Sequence, residues 1–313
     1  MPEMIATRDG FGKALLNLGK ENKLVVNLEA DLGKSTKSIL FAKEFPDRTI
    51  NFGISEQDMI TTAAGLAYSG KIPFASTFAI FTERAFEQIR NSVARTNLNV
   101  KIVGSHSGLL TGDDGDSAQC IEDVAVYRSL PNMVVLSPAD AIETEKATYA
   151  MAEHTGPMYL RIGREKIPVL FDANYKFEFG KGVLLKDGKD VTIFATGPLV
   201  SIALDAGKLL ESEGVSARII NIHTIKPIDK DLIIKAATET KAIVTAEDHN
   251  IIGGLGSAVS EVLTEYALAP LERVGVKDRF GESGKPAELY KKYGLTAEDI
   301  VKHAKKAIAR KRV

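Results

Sequence analysis

The chain is 313 residues long, with 44% hydrophobic residues, 26% charged residues and a formal net charge of −1. This length predicts two globular domains, and the balanced charge argues against a nucleic-acid-binding protein, which normally carries a basic excess. No apolar run approaches the length of a membrane span, and the single cysteine, Cys120, excludes an internal disulfide. We therefore expect a cytoplasmic protein that has neither a membrane nor a nucleic-acid partner.

Short β-branched segments alternate with helix-length segments along the chain. The predicted strands are residues 23–28, 72–77, 100–105, 133–137, 157–162, 190–196, 216–222, 241–247 and 271–276. Between two of them, Phe86, Ile89 and Val93 form an apolar stripe with helical spacing. Because the strands are continuously apolar, the pattern predicts an α/β protein whose mainly parallel sheets carry helices on both faces.

The alternation breaks near residues 164–190. This segment contains Pro168 and two glycine-bearing turns, and it has no helical period. We therefore predict a first domain at residues 1–167, a linker at 168–186 and a second domain at 187–313.

The stretch INFGISEQDMITTAAGLAYSG, residues 50–70, predicts a helix that begins near an acidic residue. Ser55 and Asp58 have the spacing of a capping box, and Glu56 lies in the first predicted turn. Read alone, Glu56 needs no function beyond favouring a helix N-terminus.

Several further side chains follow predicted strand ends, where parallel sheets bind ligands. Phe78 and Phe81 are either core residues or an apolar wall for a flat ring, and His106 is either a structural histidine or a ligand contact. The segment TGDDGDSAQ, residues 111–119, lacks the remaining ligands of a calcium loop and leaves a polar turn or a ligand-contacting carboxylate. No metal site is predicted, and these residues alone do not complete an active site.

Three longer segments identify a family resemblance: FGISEQDMITTAAGLA, FASTFAIFTERAFEQIRNSVA and SHSGLLTGDDGDSAQCIEDVAVYRSLPNM. The chain resembles the C-terminal half of a transketolase, a thiamine-diphosphate enzyme, from IATRDGFGKAL through SGKPAELYKKYGL. The resemblance implies a pyrimidine-binding first domain and a transketolase C-terminal second domain. The family's Gly-Asp-Gly…Asn signature for the diphosphate is missing from the sequence. We therefore expect the smaller subunit of a split transketolase, whose partner binds the diphosphate through Mg²⁺.

The resemblance also implies roles around the cofactor. Glu56 matches the glutamate that hydrogen-bonds N1′ of the aminopyrimidine ring, and Phe78 and Phe81 match aromatics that pack on that ring. Arg84 occupies a third position that is aromatic in some members, and Asp31 matches an acid near the thiazolium ring.

A second set of matches implies a sugar-phosphate site. Arg8, Ser35, His106 and Arg164 match positions that hold the substrate phosphate, and guanidinium, hydroxyl and imidazole groups are suitable donors to a phosphate dianion. Asp114 matches an aspartate that hydrogen-bonds a substrate hydroxyl.

One position departs from the family pattern. Ala118 stands where many transketolases have a histidine that contacts the donor sugar, which leaves the exact substrate open. The adjacent Gln119 is a candidate polar contact in its place.

These matches predict a transketolase subunit that transfers a two-carbon ketol unit from a ketose phosphate to an aldose phosphate in an α2β2 assembly. Two alternatives remain. The first is another thiamine-diphosphate enzyme subunit, either similar to deoxyxylulose-phosphate synthase or the β subunit of a 2-oxo-acid decarboxylase. The second is a non-catalytic α/β partner module. Retention of Glu56 with both phenylalanines argues against that module.

Overall fold

The computed structural model describes residues 3–311, which form two α/β domains. The strands are β1 (Met4–Ala6), β2 (Val25–Glu29), β3 (Thr49–Asn51), β4 (Ile72–Phe78), β5 (Lys101–Ser105), β6 (Val134–Leu136), β7 (Met158–Arg161), β8 (Lys166–Pro168), β9 (Val183–Lys186), β10 (Val191–Ala195), β11 (Ala217–Asn221), β12 (Thr224–Lys226), β13 (Ile243–Asn250) and β14 (Leu271–Val276).

The α-helices are α1 (Thr7–Glu21), α2 (Gly33–Thr36), α3 (Ile39–Glu44), α4 (Glu56–Tyr68), α5 (Ala79–Arg84), α6 (Phe86–Gln88), α7 (Asp123–Arg128), α8 (Ala141–Glu153), α9 (Leu199–Ser212), α10 (Lys230–Thr240), α11 (Leu255–Tyr266), α12 (Pro286–Tyr293) and α13 (Ala297–Ala309). A 3₁₀ segment lies at Pro46–Arg48, and Leu109–Asp114 contains two 3₁₀ turns separated by a kink at Gly112. A π-helical segment at Ile89–Ala94 continues α6. None of the helices described is long and apolar enough to cross a membrane.

The sheet of the first domain has the strand order β12-β6-β7-β5-β4-β2-β3. Its strands are parallel except β12, which pairs antiparallel with β6. Both faces are buried, because Val26 and Leu28 belong to one apolar cluster while Val25 and Phe74 belong to another. The continuous apolar strands therefore have the two-sided burial that their sequences predict.

The sheet of the second domain has the order β14-β13-β10-β11-β9, with only β9 antiparallel among these strands. Ile193 packs on one side with residues of α9 and α13, and Phe194 packs on the other with residues of α10 and α11. The predicted fold class is therefore confirmed.

All nine predicted strands are present, together with five short strands that the sequence pattern did not predict: β1, β3, β8, β9 and β12. These five strands have three or four residues, too few for a periodic signal, whereas the equally short β6 and β7 lie within the longer predicted segments 133–137 and 157–162. β9 begins at Val183, inside the predicted linker, so the segment without regular structure is 169–182. Residues 1–2 and 312–313 of the predicted domains lie outside the described residues.

Two features fix the domains against each other. β12 belongs to the second domain in sequence yet extends the sheet of the first. In addition, the buried Glu143 of α8 accepts hydrogen bonds from Tyr175 Oη at 2.6 Å and from Asn221 Nδ2 at 2.8 Å. Burial raises the pKa of Glu143 to about 7. The contact joins the first domain, the connecting segment and the second domain through one carboxyl group.

Candidate active site

The carboxyl edge of the first sheet collects most of the predicted site residues. β2 has β3 on one side and β4 on the other, so the chain changes direction across the sheet at this point, which is where open parallel sheets bind ligands. Asp31 follows β2, Phe78 ends β4 and His106 follows β5. Asp31 and His106 have left-handed backbone conformations, with φ of 60° and 57°. Such strained residues concentrate at functional sites.

Glu56 is the first residue of α4, and only 1% of its surface is exposed. Its Oε2 accepts a hydrogen bond from Arg84 Nη1 at 2.6 Å, while the Arg84 side chain remains 47% exposed. The predicted capping box is wrong, because Ser55 makes no side-chain cap bond and Asp58 accepts from Thr62 Oγ1 instead. The hydrogen bond observed for the Glu56 carboxylate is with Arg84, whose side chain reaches it from the end of α5.

Planar side chains form a continuous row beside Glu56. The rings of Phe78 and Phe81 are nearly parallel, 7° apart, with centroids separated by 5.5 Å. His106 stacks on Phe78 at 3.8 Å, and the guanidinium of Arg84 lies over Phe81 at 4.9 Å. Both phenylalanines are half-buried. This aromatic row presents flat, apolar surface of the kind on which an aromatic ligand packs.

The predicted phosphate-binding residues also come together. Arg8 Nη1 donates to the carbonyl oxygen of Ser35 at 3.0 Å, and Arg164 Nη1 donates to Asp114 Oδ1 at 2.9 Å. Burial lowers the pKa of Arg8, and the charge of Arg164 contributes in the same direction. The Nε of Arg8 is buried without a hydrogen-bond partner. Two guanidiniums near enough for one to lower the pKa of the other, with an unused donor on Arg8, suit an anion.

His106 links the cationic residues to the aromatic row. Its Nδ1 lies 2.9 Å from Ser105 Oγ, and the side chain is buried. Burial lowers the pKa of His106 to about 3, and the charges of Arg8 and Arg164 act in the same direction. The imidazole is therefore neutral at physiological pH, where it can donate one hydrogen bond and contributes no charge.

Gln119, the predicted polar contact, links its loop to the second domain. It is 2% exposed, and its Nε2 donates to the carbonyl oxygens of Gly112 at 3.0 Å and Glu282 at 2.9 Å. This arrangement favours a role in holding the loop to the second domain. The neighbouring Ala118 is half-buried.

Two neighbours of the site were missed by sequence reasoning. Asn51 lies at the end of β3, and its Oδ1 accepts a hydrogen bond from the backbone N–H of Asp31 at 3.1 Å. Its position next to the site depends on β3, a strand that the sequence pattern did not predict. Asp248 lies in β13, and its carboxylate accepts hydrogen bonds from two backbone N–H groups of the loop that follows His106. The polar run EDHN at the end of β13 was the available signal.

Comparison with known proteins identifies the family of this chain. Residues 3–169 match the pyrimidine-binding domain of transketolases, and residues 180–300 match the transketolase C-terminal domain. The chain belongs to the transketolase family.

Individual relatives identify the part of a transketolase that this chain represents. It is 49% identical to a putative transketolase C-terminal section of Methanocaldococcus jannaschii, with 94% of both chains covered. It is 41% identical to a 6-deoxy-6-sulfo-D-fructose transketolase subunit of Clostridium sp. strain MSTE9, with 97% of this chain and 95% of the relative covered. A solved structure described as a split-gene transketolase, inactive beta4 tetramer, superimposes with a TM-score of 0.93 at 52% identity, covering 98% of this chain and 100% of that one. The predicted transketolase subunit is thereby confirmed.

Proposed function

We propose that this chain activates thiamine diphosphate and binds the sugar phosphate in a transketolase that transfers a two-carbon ketol unit between phosphorylated sugars. The observation that carries the proposal is the position of His106, which stacks on Phe78 at 3.8 Å and lies within the electrostatic range of both Arg8 and Arg164. One side chain thus joins a surface suited to an aromatic ring with a cluster suited to a phosphate.

The residues around Glu56 fit the aminopyrimidine ring of the cofactor. Phe78 and Phe81 would pack on the ring, and Glu56 would hold a proton shared with N1′. When bound, thiamine diphosphate supplies a nucleophilic carbon that accepts the ketol unit and stabilises the charge left after bond cleavage. Because Oε2 of Glu56 is bonded to Arg84, the guanidinium would share or release this oxygen when the ring is present. Asp31, at the same edge of the sheet, would face the thiazolium side.

Arg8, Ser35, His106 and Arg164 would bind the substrate phosphate. Charge-assisted hydrogen bonds from the two guanidiniums supply most of the attraction, and the neutral imidazole supplies direction. Asp114, now paired with Arg164, would remain able to accept a bond from a sugar hydroxyl through its second oxygen.

A separate polypeptide would bind Mg²⁺ and the diphosphate, giving an α2β2 enzyme of the cytoplasm. The related split-gene structure, an inactive tetramer of β chains, supports the expectation that this chain is inactive by itself. The relative named for 6-deoxy-6-sulfo-D-fructose supports a second candidate substrate, a sulfonated sugar, because a sulfonate offers the same three acceptor oxygens with one negative charge.

Reconstitution with the diphosphate-binding subunit, thiamine diphosphate and Mg²⁺ tests the proposal. We expect ketol transfer from xylulose 5-phosphate to ribose 5-phosphate, at a rate well above that with 6-deoxy-6-sulfofructose as donor. Preference for the sulfonated donor would replace the phosphate in the proposal by a sulfonate. Turnover of pyruvate without ketol transfer would instead assign the chain to the 2-oxo-acid branch, and failure with all three donors would favour the non-catalytic partner module.

A further inference from the structure

The segment that carries Asp114 is attached to the second domain by a buried carboxylate. We call residues 107–119 the substrate loop. Asp248 of β13 accepts hydrogen bonds from the backbone N–H groups of Leu109, at 3.0 Å to Oδ1, and Leu110, at 3.4 Å to Oδ2. Tyr290 of α12 donates its hydroxyl to Oδ2 at 2.9 Å. Asp248 is 1% exposed, so these bonds are shielded from water.

Two glycines allow this close contact. Gly108 has a φ of 72°, and a Cβ at this position would collide with the carboxylate of Asp248. Gly115 has a φ of 82°, and a Cβ there would lie 2.6 Å from Ser283 Oγ of the second domain. The substrate loop therefore adopts a backbone that only glycine accommodates easily, and it does so where it meets the second domain.

The same aspartate also contacts the strand that leads to Arg164. Arg161, at the end of β7, donates from Nη2 to the carbonyl oxygen of Asp248 at 2.8 Å. Its Nε bonds both carboxylate oxygens of Asp123, at 2.9 and 3.0 Å, within a buried ion pair. Asp248 thus contacts two segments of the site: the loop that leads to Asp114 and the strand that leads to Arg164.

We propose that Asp248, oriented by Tyr290, is a positioning residue that holds the substrate loop. It keeps Asp114 in place to bond a hydroxyl of the sugar while Arg164 binds the phosphate of the same substrate. This gives the second domain a role in substrate binding. The inference rests on the proposed function for the identity of the substrate, but the attachment of the loop is a property of this chain alone. Cofactor activation by Glu56 depends on first-domain elements and is independent of this contact.

The test uses Asp248→Asn and Tyr290→Phe in the complex with the diphosphate-binding subunit. Asparagine retains one acceptor oxygen, and phenylalanine removes a single hydroxyl while leaving the carboxylate in place. We expect the KM of the ketose-phosphate donor to rise about tenfold, with kcat within about threefold of wild type, because a displaced loop weakens contacts that are equally strong in the ground state and the transition state. Tyr266→Phe, a matched change at an exposed tyrosine of α11, should leave both constants unchanged.

Hydrogen–deuterium exchange on this chain provides the second measurement. The amides of residues 107–117 should exchange faster in both variants than in wild type, while the peptide containing Phe78 should be unaffected. Unchanged exchange in the loop, or faster exchange with an unchanged KM, would overturn the inference. A fall in kcat with constant KM would do so as well. If wild type does not turn over sugar phosphates, the proposed function fails, and exchange still tests the attachment separately. If Asp248→Asn does not fold, Tyr290→Phe decides.

Discussion

Replacing Glu56 by glutamine separates the structural role of this carboxylate from its chemical role. Glutamine has nearly the same shape, and its carbonyl oxygen can still accept the bond from Arg84. Since the Arg84 side chain is 47% exposed, it can be rehydrated, and the lost ion pair is worth only about 0–1 kcal/mol of stability. The unfolding temperature of Glu56→Gln should therefore fall by no more than about 4 °C.

The expected effect on catalysis is much larger. A neutral amide cannot share a proton with a ring nitrogen, and positioned proton transfer contributes roughly 10²- to 10⁴-fold to rate. This corresponds to about 3–5 kcal/mol of activation free energy, well above the stability change.

The assay is ketol transfer by the reconstituted complex, with assembly measured by light scattering and stability by thermal unfolding. Asp58→Asn provides the control, because it removes an exposed carboxylate from the same turn of α4 and should leave activity near wild type. A Glu56→Gln complex that assembles normally and retains activity within threefold of wild type would refute the role assigned to this residue.

Further predictions concern charge and protonation. Arg8→Gln should raise the KM of the phosphorylated donor about 10- to 100-fold, because it removes a charged hydrogen bond to the phosphate. Arg95→Gln, at an exposed arginine, should leave this KM unchanged, and equal effects of the two variants would contradict a phosphate contact. The pKa of His106 is about 3 when folded and near 6.5 when unfolded, so unfolded chains take up a proton as pH falls below 6.5, and acid lowers the free energy of unfolding. His106→Asn lacks this proton uptake. In urea titrations, its free energy of unfolding should therefore fall by on the order of 3 kcal/mol less than that of wild type between pH 7 and 4. The raised pKa of Glu143, about 7, has the opposite sign: the folded chain keeps a proton that the unfolded chain releases above pH 4.5, so stability falls as pH rises toward 7. Glu143→Gln should remove a slope worth on the order of 3 kcal/mol across this range, and an unchanged pH profile would count against a buried neutral carboxyl.

Sequence patterns predicted the parts of the fold that are set locally. The apolar, β-branched runs of β10 and β13 are long enough to be recognised as buried strands, and their alternation with helices predicts parallel sheets. β12 could not be predicted, because its three residues gain a partner only when the second domain meets β6. Likewise, the pattern located Phe78 at a strand end without predicting its ring contacts.

The arrangement of the site depends on contacts between distant residues. Glu56 and Arg84 are 28 positions apart, and a helical period carries no information about their pairing. The capping box was predicted from spacing alone, whereas the backbone at Ser55, with ψ of 64°, does not direct its hydroxyl to the helix. The family resemblance supplied roles for these residues, whereas the hydrogen bonds of Gln119 to Gly112 and Glu282 could not be predicted from its place in the sequence.

The charges around His106 also suggest how donors would be discriminated. With the imidazole neutral, Arg8 and Arg164 provide two positive charges, of which Asp114 neutralises one. A phosphate dianion can engage both guanidiniums and use the free Nε of Arg8. The single carboxylate of pyruvate, or a sulfonate monoanion, carries only half the charge of that dianion. The site keeps a net positive charge, so it attracts a dianion more strongly than a monoanion. Because specificity is a difference between affinities, this difference should favour phosphorylated donors even where the reacting end of the substrate is the same.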